Sequence, residues 1–411
     1  MSFFFLASKD RLLAKPEYLK NKGFLNHEIF DKFLIISARN DDLSIWGSAK
    51  TKDVFCLLSG RLAFDETDWN RAAELDGSGG LACRVLIDWW VRDRNSFPDK
   101  LNGAGTVIII EKGVVNIWTD RLGMMPLFRH HNSEMVSSDC DYLAASAKVN
   151  NYALSLNFDA LASFLSTGSS VNNETYFEGV SSTDGGVNVC SSKDDSSLWS
   201  YGKYWEPNYK RPAKYRCSKD RVVELADLIT ESVEKRSNPI LGDVGLLLSA
   251  GVDSRAILYA HPRASEVKCF TIFEKPNEEL KIAEKIAKSV GSEHSTLKRS
   301  KDYYGKNLID IVKQSQGRWS FIDGHYVGFR QEIKDHNVST LLTGCYCDYL
   351  FKGLSLNRKQ ITIFGKPIPI FKRQNFNFTS YIPSEPLYSG WQEVLDKKLE
   401  EKFLPALGCN D

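Results

Sequence analysis

LLLSAGVDSR, residues 246–255, is an apolar run that breaks into small residues and then into Asp-Ser, where a helix can begin. A buried strand entering a tight turn exposes successive backbone N–H groups, and the following helix adds its N-terminal donors and the positive end of its dipole. Ser249 and Ser254 supply hydroxyl donors, Gly251 allows close approach of an anion, and Asp253 can act through Mg²⁺ or cap the helix. The stretch therefore predicts a phosphate-binding loop. It lacks the Gly-Lys-Ser/Thr ending of the Walker A loop.

The length and composition favour a two-domain protein without a strong overall charge. The 411 residues suit two domains of about 200 residues each. Lys plus Arg is 53 and Asp plus Glu is 52, so no global field attracts nucleic acid or an anionic membrane. The apolar start at residues 3–7 is too short for a secretory signal, and no later run spans a bilayer. We expect a cytoplasmic protein that binds neither nucleic acid nor membrane.

The cysteines and histidines do not indicate a metal centre of their own. The nine cysteines are scattered and odd in number, so we expect reduced thiols rather than a disulfide framework. Cys345 and Cys347 are the nearest pair, but no second Cys or His pair follows at zinc spacing. The seven histidines are likewise dispersed. We therefore predict no zinc site.

The two halves of the chain differ in rhythm. The first half is predicted to hold short strands, a hairpin around Lys112-Gly113 and one helix near residues 80–90, with a linker around 207–218. The strands are predicted at residues 33–37, 54–58, 105–110 and 114–118. The second half alternates helices with strands at 244–248, 267–273 and 338–343, and its first helix is predicted from Val222, Leu225, Ala226, Ile229 and Val233 on one face.

Strands that alternate with helices imply right-handed crossovers and a parallel sheet covered on both faces. Ligands of such sheets bind beyond the carboxyl ends of the strands. Residues 249–254 and 344–348 are both expected at that edge. The second half is therefore predicted to bind its ligand there.

The phosphate loop resembles the Ser-Gly-Gly-x-Asp-Ser loop of N-type ATP pyrophosphatases in the asparagine synthetase family, with Ala250 in place of the first glycine. Other segments follow in the family's order. The segments that resemble the glutaminase-like domain are Leu101-Asn102-Gly103 and Asp120-Arg121-Leu122-Gly123-Met124-Met125-Pro126-Leu127-Phe128. Those that resemble the synthetase domain are Phe270-Thr271-Ile272-Phe273, Glu278-Glu279, Ala283, Ala287, Gly291 and His294. Residues 342–353 resemble the second ATP-site segment of that domain, Gly-x-Gly-x-Asp-Glu-x-Phe-x-Gly.

The resemblance implies a fold of mixed α+β and α/β class. Residues 1–206 are expected to form an Ntn-hydrolase-like αββα sandwich, a glutaminase-like domain, and residues 219–411 a PP-loop domain of the adenine-nucleotide α-hydrolase type with a parallel sheet. It also implies ATP and Mg²⁺ as cofactors, with Asp253 and Asp348 as the catalytic and metal-binding carboxylates. The expected nucleotide contacts are Leu248, Ser249, Ala250, Gly251, Val252, Asp253, Ser254, Thr271, Ile272 and Gly344.

Departures from the family pattern indicate that the glutaminase half is inactive. An active class II glutaminase uses an N-terminal Cys, which supplies both the thiolate and the α-amine that serves as its base. Here position 2 is Ser. The glutamine-binding Asn-Gly of the family appears as Ser59-Gly60, and its Asp before the helix is not evident in residues 79–81. We therefore expect no glutamine hydrolysis.

The synthetase half departs at two places. Asp348 keeps a carboxylate, but Tyr349 replaces the usual Glu. Mg²⁺ commonly binds through one or two carboxylates plus phosphate oxygens, so Asp253 and Asp348 can suffice. No counterpart of the family's late lysine is identified. Lys352, Lys366 and Lys372 stand near its position only.

Two functions from different classes are compatible with these residues. The first is an ATP-dependent ligase that adenylates a small-molecule or peptide carboxylate and transfers it to an amine, as in the ring-forming β-lactam synthetases and lasso-peptide cyclases of this family. The second is a catalytically degenerate relative that binds nucleotide or a partner. The replacement of the usual Glu by Tyr349 favours this alternative. Assembly as a homo-oligomer or with a partner biosynthetic protein is left open.

Overall fold

The computed structural model of the chain describes residues 2–14, 24–39, 42–75, 77–167, 173–191, 199–208, 219–345, 347, 358–363 and 366–371. Two compact units are present. Among these residues, the first unit holds those of Met1–Cys217 and Leu308–Gly324, and the second holds those of Ser218–Asn307 and His325–Glu385.

The first unit contains two antiparallel sheets, of order β11-β9-β10-β1-β3-β2 and β13-β12-β8-β7-β5-β4-β6. The strands are β1 (Phe3–Ser8), β2 (Phe24–Phe30), β3 (Phe33–Arg39), β4 (Ala49–Lys50), β5 (Val54–Leu62), β6 (Ser78–Gly79), β7 (Gly103–Glu111), β8 (Val114–Trp118), β9 (Phe128–His130), β10 (Val136–Ser137), β11 (Val180–Ser182), β12 (Val187–Ser191) and β13 (Trp199–Lys203). The helices are α1 (Leu43–Trp46), α2 (Glu66–Glu74), α3 (Leu81–Arg92), α4 (Phe97–Lys100), α5 (Cys140–Val149) and α6 (Phe158–Thr167).

Strand β1 shows why the layers stack. Successive side chains of a strand point to opposite faces of its sheet. Phe4 and Leu6 are buried between the two sheets, in one cluster with residues of β5, β7 and β8. Phe3 and Phe5 face the other way and pack against the Tyr142 ring of α5, with ring centroids 5.4 and 5.2 Å apart.

Helices cover the outer faces of both sheets. Besides α5 on the first sheet, α3 contacts β5 of the second. Trp90 of α3 packs against Trp118 of β8, with ring centroids 5.4 Å apart. The predicted αββα sandwich is confirmed, and so is the predicted β7–β8 hairpin. Lys112 and Gly113 at its tip both have positive φ, 50° and 74°, as a tight turn that matches the strand twist requires.

A segment from late in the chain, Leu308–Gly324, groups with the first unit. Gln316 binds the start of α5 from both ends of its amide: its Oε1 accepts from Cys140 N at 2.8 Å and its Nε2 donates to Ser138 O at 3.1 Å. Tyr176 Oη donates to Gly317 O. The Arg318 guanidinium lies 4.9 Å from the centre of the Phe128 ring. These contacts make the segment part of the first unit's fold.

The residues after 218 form a four-stranded parallel sheet of order β16-β15-β14-β17 and a separate antiparallel pair, β18-β19. The strands are β14 (Val244–Leu247), β15 (Lys268–Phe273), β16 (Glu293–Lys298), β17 (Thr340–Leu342), β18 (Arg358–Ile363) and β19 (Lys366–Phe371). The helices are α7 (Lys219–Arg236), α8 (Val252–Ala260), α9 (Glu278–Val290), α10 (Tyr303–Ser315) and α11 (Arg330–Asp335), with short 3₁₀ turns at Pro239–Leu241, Ala264–Glu266, Phe321–Asp323 and Val327–Phe329.

The parallel sheet is covered on both faces, as predicted. Leu246 and Leu248 pack on one side with residues of α8 and α9. Phe270 faces the other side and packs with Phe329 and with Ile333 of α11. The strand order reverses direction at β14, because β15 and β16 extend the sheet on one side and β17 on the other. Ligands of open parallel sheets bind at such a reversal, so we expect a ligand site in the β14–β17 crevice.

Helix α7 forms where it was predicted, but only part of its apolar face is covered. Val222 and Leu225 are 56% and 40% exposed, whereas Val233 near the end of the helix is buried. Within the described residues, no helix is both long and apolar enough to cross a membrane.

Candidate nucleotide site

The predicted phosphate loop connects β14 to α8 at the reversal of strand order. Leu248 N donates to Phe270 O at 2.8 Å, which continues the pairing with β15 past the end of β14. Helix α8 then begins at Val252 with Gly251 as its N-cap. Gly251 supplies no side-chain oxygen, so the N-cap makes no side-chain hydrogen bond to the helix. Asp253, a predicted cap, lies within the first turn of the helix instead. The helix therefore starts as a phosphate-binding helix does, without a side-chain cap.

The two loop serines are bonded to each other and to the loop backbone. Ser254 Oγ accepts from Ser249 N at 3.0 Å and pairs with Ser249 Oγ at 3.0 Å. Ser249 Oγ accepts from Gly251 N at 3.1 Å. The hydroxyls therefore fix the shape of the loop, in addition to any contact with phosphate.

Gly344 brings the end of β17 against the start of α8. A Cβ built on Gly344 would lie 3.0 Å from Asp253 Cβ and 3.3 Å from Ser254 N. A side chain at this position would have to displace the first turn of the helix. The close packing of Gly344 against the start of α8 therefore favours glycine at this position.

Thr271 anchors the loop to the sheet. Its hydroxyl donates to Leu248 O at 2.8 Å, and the same oxygen lies 2.8 Å from His294 Nε2. A carbonyl only accepts, so the threonine proton points at Leu248 and His294 Nε2 carries the proton that donates to Thr271. Burial lowers the pKa of His294. The chain His294–Thr271–Leu248 thereby holds the start of the loop in place.

We expect Thr271→Val to destabilise the second unit by about 1–3 kcal/mol, because the near-isosteric valine leaves the Leu248 carbonyl and the His294 ring without this partner. Chemical denaturation followed by fluorescence measures the change. Thr296→Val on β16 is the matched control, since Thr296 is exposed. Equal midpoints for the two variants would contradict the anchoring role of Thr271.

A cavity of about 290 Å³ opens between the loop and the end of β17. Of the predicted nucleotide contacts, seven line it and three, Ala250, Gly251 and Val252, do not. The predicted residues in the lining are Leu248, Ser249, Asp253, Ser254, Thr271, Ile272 and Gly344. Asp348 lies outside the described residues, as do Tyr349, Lys352 and Lys372, and only the backbone of Lys366 is described.

The lining also contains six residues that the sequence did not predict as contacts: Leu247, Phe270, Glu279, Tyr326, Thr343 and Cys345. Thr343 and Cys345 flank Gly344, so their position follows once that residue is placed. Tyr326 has no local motif. Its Oη lies 3.1 Å from Cys345 Sγ, and burial together with this thiol raises the pKa of Tyr326 to about 12. The phenol is therefore protonated at neutral pH.

In the first unit, Ser2 and Arg39 bond to the residues at the end of β5. Ser2 Oγ accepts from Gly60 N at 2.7 Å and lies 3.0 Å from Ser59 Oγ. The buried Arg39 guanidinium donates to the carbonyls of Leu58 and Gly60. The Ser2 hydroxyl and the Arg39 guanidinium therefore both have hydrogen-bond partners within the first unit.

Among the described residues 77–84, no carboxylate lies at the start of α3. The N-cap of that helix is Gly80, which contributes no side chain. A Cβ on Gly80 would lie 2.5 Å from Gly47 N and from Gly47 O, so the backbone packs too closely there for any side chain.

Residues 224–400 match the family model described as asparagine synthase. This segment, which is less than half of the chain, is similar to the asparagine synthase family. No curated protein matches the chain significantly.

Two solved structures share a low overall likeness. One is glutamine phosphoribosylpyrophosphate amidotransferase from B. subtilis complexed with ADP and GMP, at 10% identity and a TM-score of 0.30, covering 72% of this chain and 65% of that one. The other is described as the allosteric regulatory enzyme of purine biosynthesis, at 12% identity and a TM-score of 0.29, covering 72% and 74%. Likeness at this level supports no inference about the activity of this chain.

Proposed function

We propose that the protein is an ATP-dependent amide-forming ligase. It adenylates a carboxylate with release of pyrophosphate, and an amine then attacks the acyl-adenylate to form the amide and release AMP. The observation that carries this proposal is the cavity at the β14–β17 reversal. It combines the Ser249 and Ser254 hydroxyls, the start of α8 and Gly344 in one crevice, which is the arrangement that suits a triphosphate.

The residues present fit Mg²⁺, which family members of this type are expected to use. Two carboxylates, Asp253 and Glu279, line the cavity, and carboxylate and phosphate oxygens are the ligands that Mg²⁺ prefers. In the part of the chain that the structure describes, no group of three His, Cys, Asp or Glu side chains could hold a metal alone. We infer that Asp253, with Asp348 as the second candidate ligand, binds Mg²⁺ that the phosphates also coordinate. Bound there, the ion would neutralise the charge of the pyrophosphate leaving group.

The chain's own contribution is positioning and neutralisation of charge. The first-turn N–H groups of α8 and the serine hydroxyls orient the phosphates. The sheet, which is covered on both faces, holds these donor groups rigidly. The proposed substrates are a small-molecule or peptide carboxylate and an amine. We propose that the amine comes from the substrate itself, a second substrate or free ammonia, because position 2 is Ser rather than Cys and its hydroxyl bonds to Gly60 N and lies beside Ser59.

We expect Ser2→Ala to leave ligase activity unchanged, because Ser2 Oγ is occupied by Gly60 N and Ser59. An assay for glutamate released from glutamine should find none in either protein. Glutamine hydrolysis that the substitution removes would show that the first unit is an active amidohydrolase.

We expect ATP with Mg²⁺ to raise the thermal midpoint of the protein. A ligand bound only by the folded state stabilises it by about 2.7 kcal/mol at a hundredfold excess over its Kd. The shift should vanish in the double variant Ser249→Ala, Ser254→Ala.

The double variant needs two controls, because the two hydroxyls also bond to the loop. Its midpoint without ATP reports any loosening of the loop itself. Ser289→Ala removes a serine hydroxyl that bonds to Ile286 O and Tyr259 Oη outside the cavity lining, and it should keep the full ATP shift. A wild-type protein without an Mg²⁺-dependent shift at millimolar ATP would contradict the nucleotide site.

A further inference from the structure

A second cavity lies beside the nucleotide cavity in the same unit. It measures about 560 Å³ and shares the side chains of Ile272 and Tyr326 with its neighbour. Its other lining residues lie at or just after the ends of β15 and β16 or precede α11, and they include Glu274, Lys275, Arg299 and His325. The two cavities therefore form one groove along the carboxyl edge of the sheet.

Arg299 is held rigidly at the wall of this second cavity. Its backbone N donates to Phe273 O at 2.7 Å, and its Nη2 donates to His325 O at 3.3 Å. The guanidinium carbon lies 5.1 and 5.5 Å from the ring centres of Tyr303 and Tyr304. Only 17% of the side chain is exposed. A guanidinium fixed in this way loses little conformational freedom when it binds an anion.

The donors of Arg299 are not fully used within the protein. Its Nε is buried without a hydrogen-bond partner. Its Nη1 lies 3.6 Å from Glu274 Oε1, beyond hydrogen-bond distance, and the Glu274 side chain is 62% exposed. A buried charged donor without a partner is costly, whereas an incoming anion can bind a guanidinium through two parallel hydrogen bonds.

The other charged groups of the cavity favour the same kind of ligand. Lys275 is adjacent and has no ion pair within the described part of the chain. Lys275 and Arg299 together outnumber the single carboxylate of Glu274. His325 adds a ring nitrogen, with its Nδ1 2.8 Å from Tyr304 Oη. The cavity thus carries a net positive charge when His325 is neutral.

We propose that this second cavity binds the carboxylate or phosphate group of a small molecule, with Arg299 as the principal anchor and Lys275 as the second cation. The site is distinct from the phosphate loop and does not depend on the proposed ligase activity. Glu274, whose carboxylate lies 3.6 Å from Arg299 Nη1, competes with the ligand for Arg299.

Calorimetric titration of the full chain with glutarate and with inorganic phosphate tests this site. The parent is the Ser249→Ala, Ser254→Ala protein, because phosphate would otherwise also bind at the loop. We expect Arg299→Met to weaken binding of both probes about tenfold or more, since charge-assisted bidentate pairs are strong. Glu274→Gln should strengthen it, because the competing carboxylate is gone. Lys281→Met removes an exposed lysine paired with Glu278 outside the cavity and should change nothing.

Two outcomes would overturn the proposal: no binding of either probe to the parent, or equal affinities in the parent, Arg299→Met and Glu274→Gln. Glu274→Gln keeps the test valid if Arg299→Met unfolds, because Glu274 is mostly exposed. Repeating the titration on the wild-type loop with a nonhydrolysable ATP analogue separates two sources of the anion. Tighter glutarate binding in its presence indicates a substrate group, and equal binding indicates an independent anion; both support the site. Arg299-dependent binding in a protein that binds no ATP would retain this site while refuting the ligase.

Discussion

Asp253→Asn is expected to lower the rate of pyrophosphate release by about 10²-fold or more, because losing one interaction made mainly in the transition state costs about 3 kcal/mol. Asp253 lies in the first turn of α8 and lines the nucleotide cavity. The amide keeps the volume of the carboxylate but removes its charge from the metal and the phosphates. Pyrophosphate release, measured with a coupled assay, reports the loss.

The fold should persist in this variant, since an exchange of Asp for Asn in the cavity lining removes no core side chain. Asp302→Asn is the matched control: Asp302 is exposed, pairs with Lys306 and lies outside the cavity lining. Asp348→Asn should have the same effect as Asp253→Asn if both carboxylates bind the metal. Near-wild-type rates in both Asp253→Asn and Asp348→Asn would remove the proposed metal site.

Gly344→Val should weaken ATP binding by about 10²-fold or more, which corresponds to a loss of about 2.7 kcal/mol of binding free energy. The added Cβ would meet Asp253 Cβ at 3.0 Å and Ser254 N at 3.3 Å. Overfilling a packed contact forces a backbone shift that costs about 1–3 kcal/mol. Here the backbone that must shift is the phosphate-binding turn itself. The ATP-dependent thermal shift and calorimetric binding measure the outcome.

Gly305→Val supplies the control for this substitution. A Cβ on Gly305 meets nothing within 4 Å, so the same change there should leave ATP binding intact. If Gly344→Val bound ATP as tightly as Gly305→Val, the nucleotide would lie elsewhere on the sheet edge.

Local pattern was sufficient to predict the strands that carry the site. The run at 246–248 and the strand before Glu274 are apolar and short, and small residues after the first and Pro276-Asn277 after the second mark where the chain turns. The chain order of strands and helices then predicts the parallel sheet and the edge at which its loops meet. Seven predicted contacts accordingly line one cavity.

What the sequence did not reveal depends on contacts between distant segments. Tyr326 lines the cavity although no motif surrounds it, because its place is set by the turn before α11. In the sequence Gln316 is indistinguishable from an ordinary surface glutamine. In the structure its side-chain amide accepts from Cys140 N and donates to Ser138 O. Val222 and Leu225 show the converse, since an apolar helical face predicts a helix but does not say what covers it.

The central claim is that this chain cleaves ATP to AMP and pyrophosphate while joining a carboxylate to an amine. Phosphorus NMR of the purified protein, incubated with ATP, Mg²⁺ and a deproteinised metabolite extract, tests it most directly. We predict that AMP and pyrophosphate appear together, and that neither appears with Asp253→Asn. ATP that is bound but stays intact, or is cleaved to ADP and phosphate, would contradict the ligase; intact ATP would favour the catalytically degenerate nucleotide-binding relative.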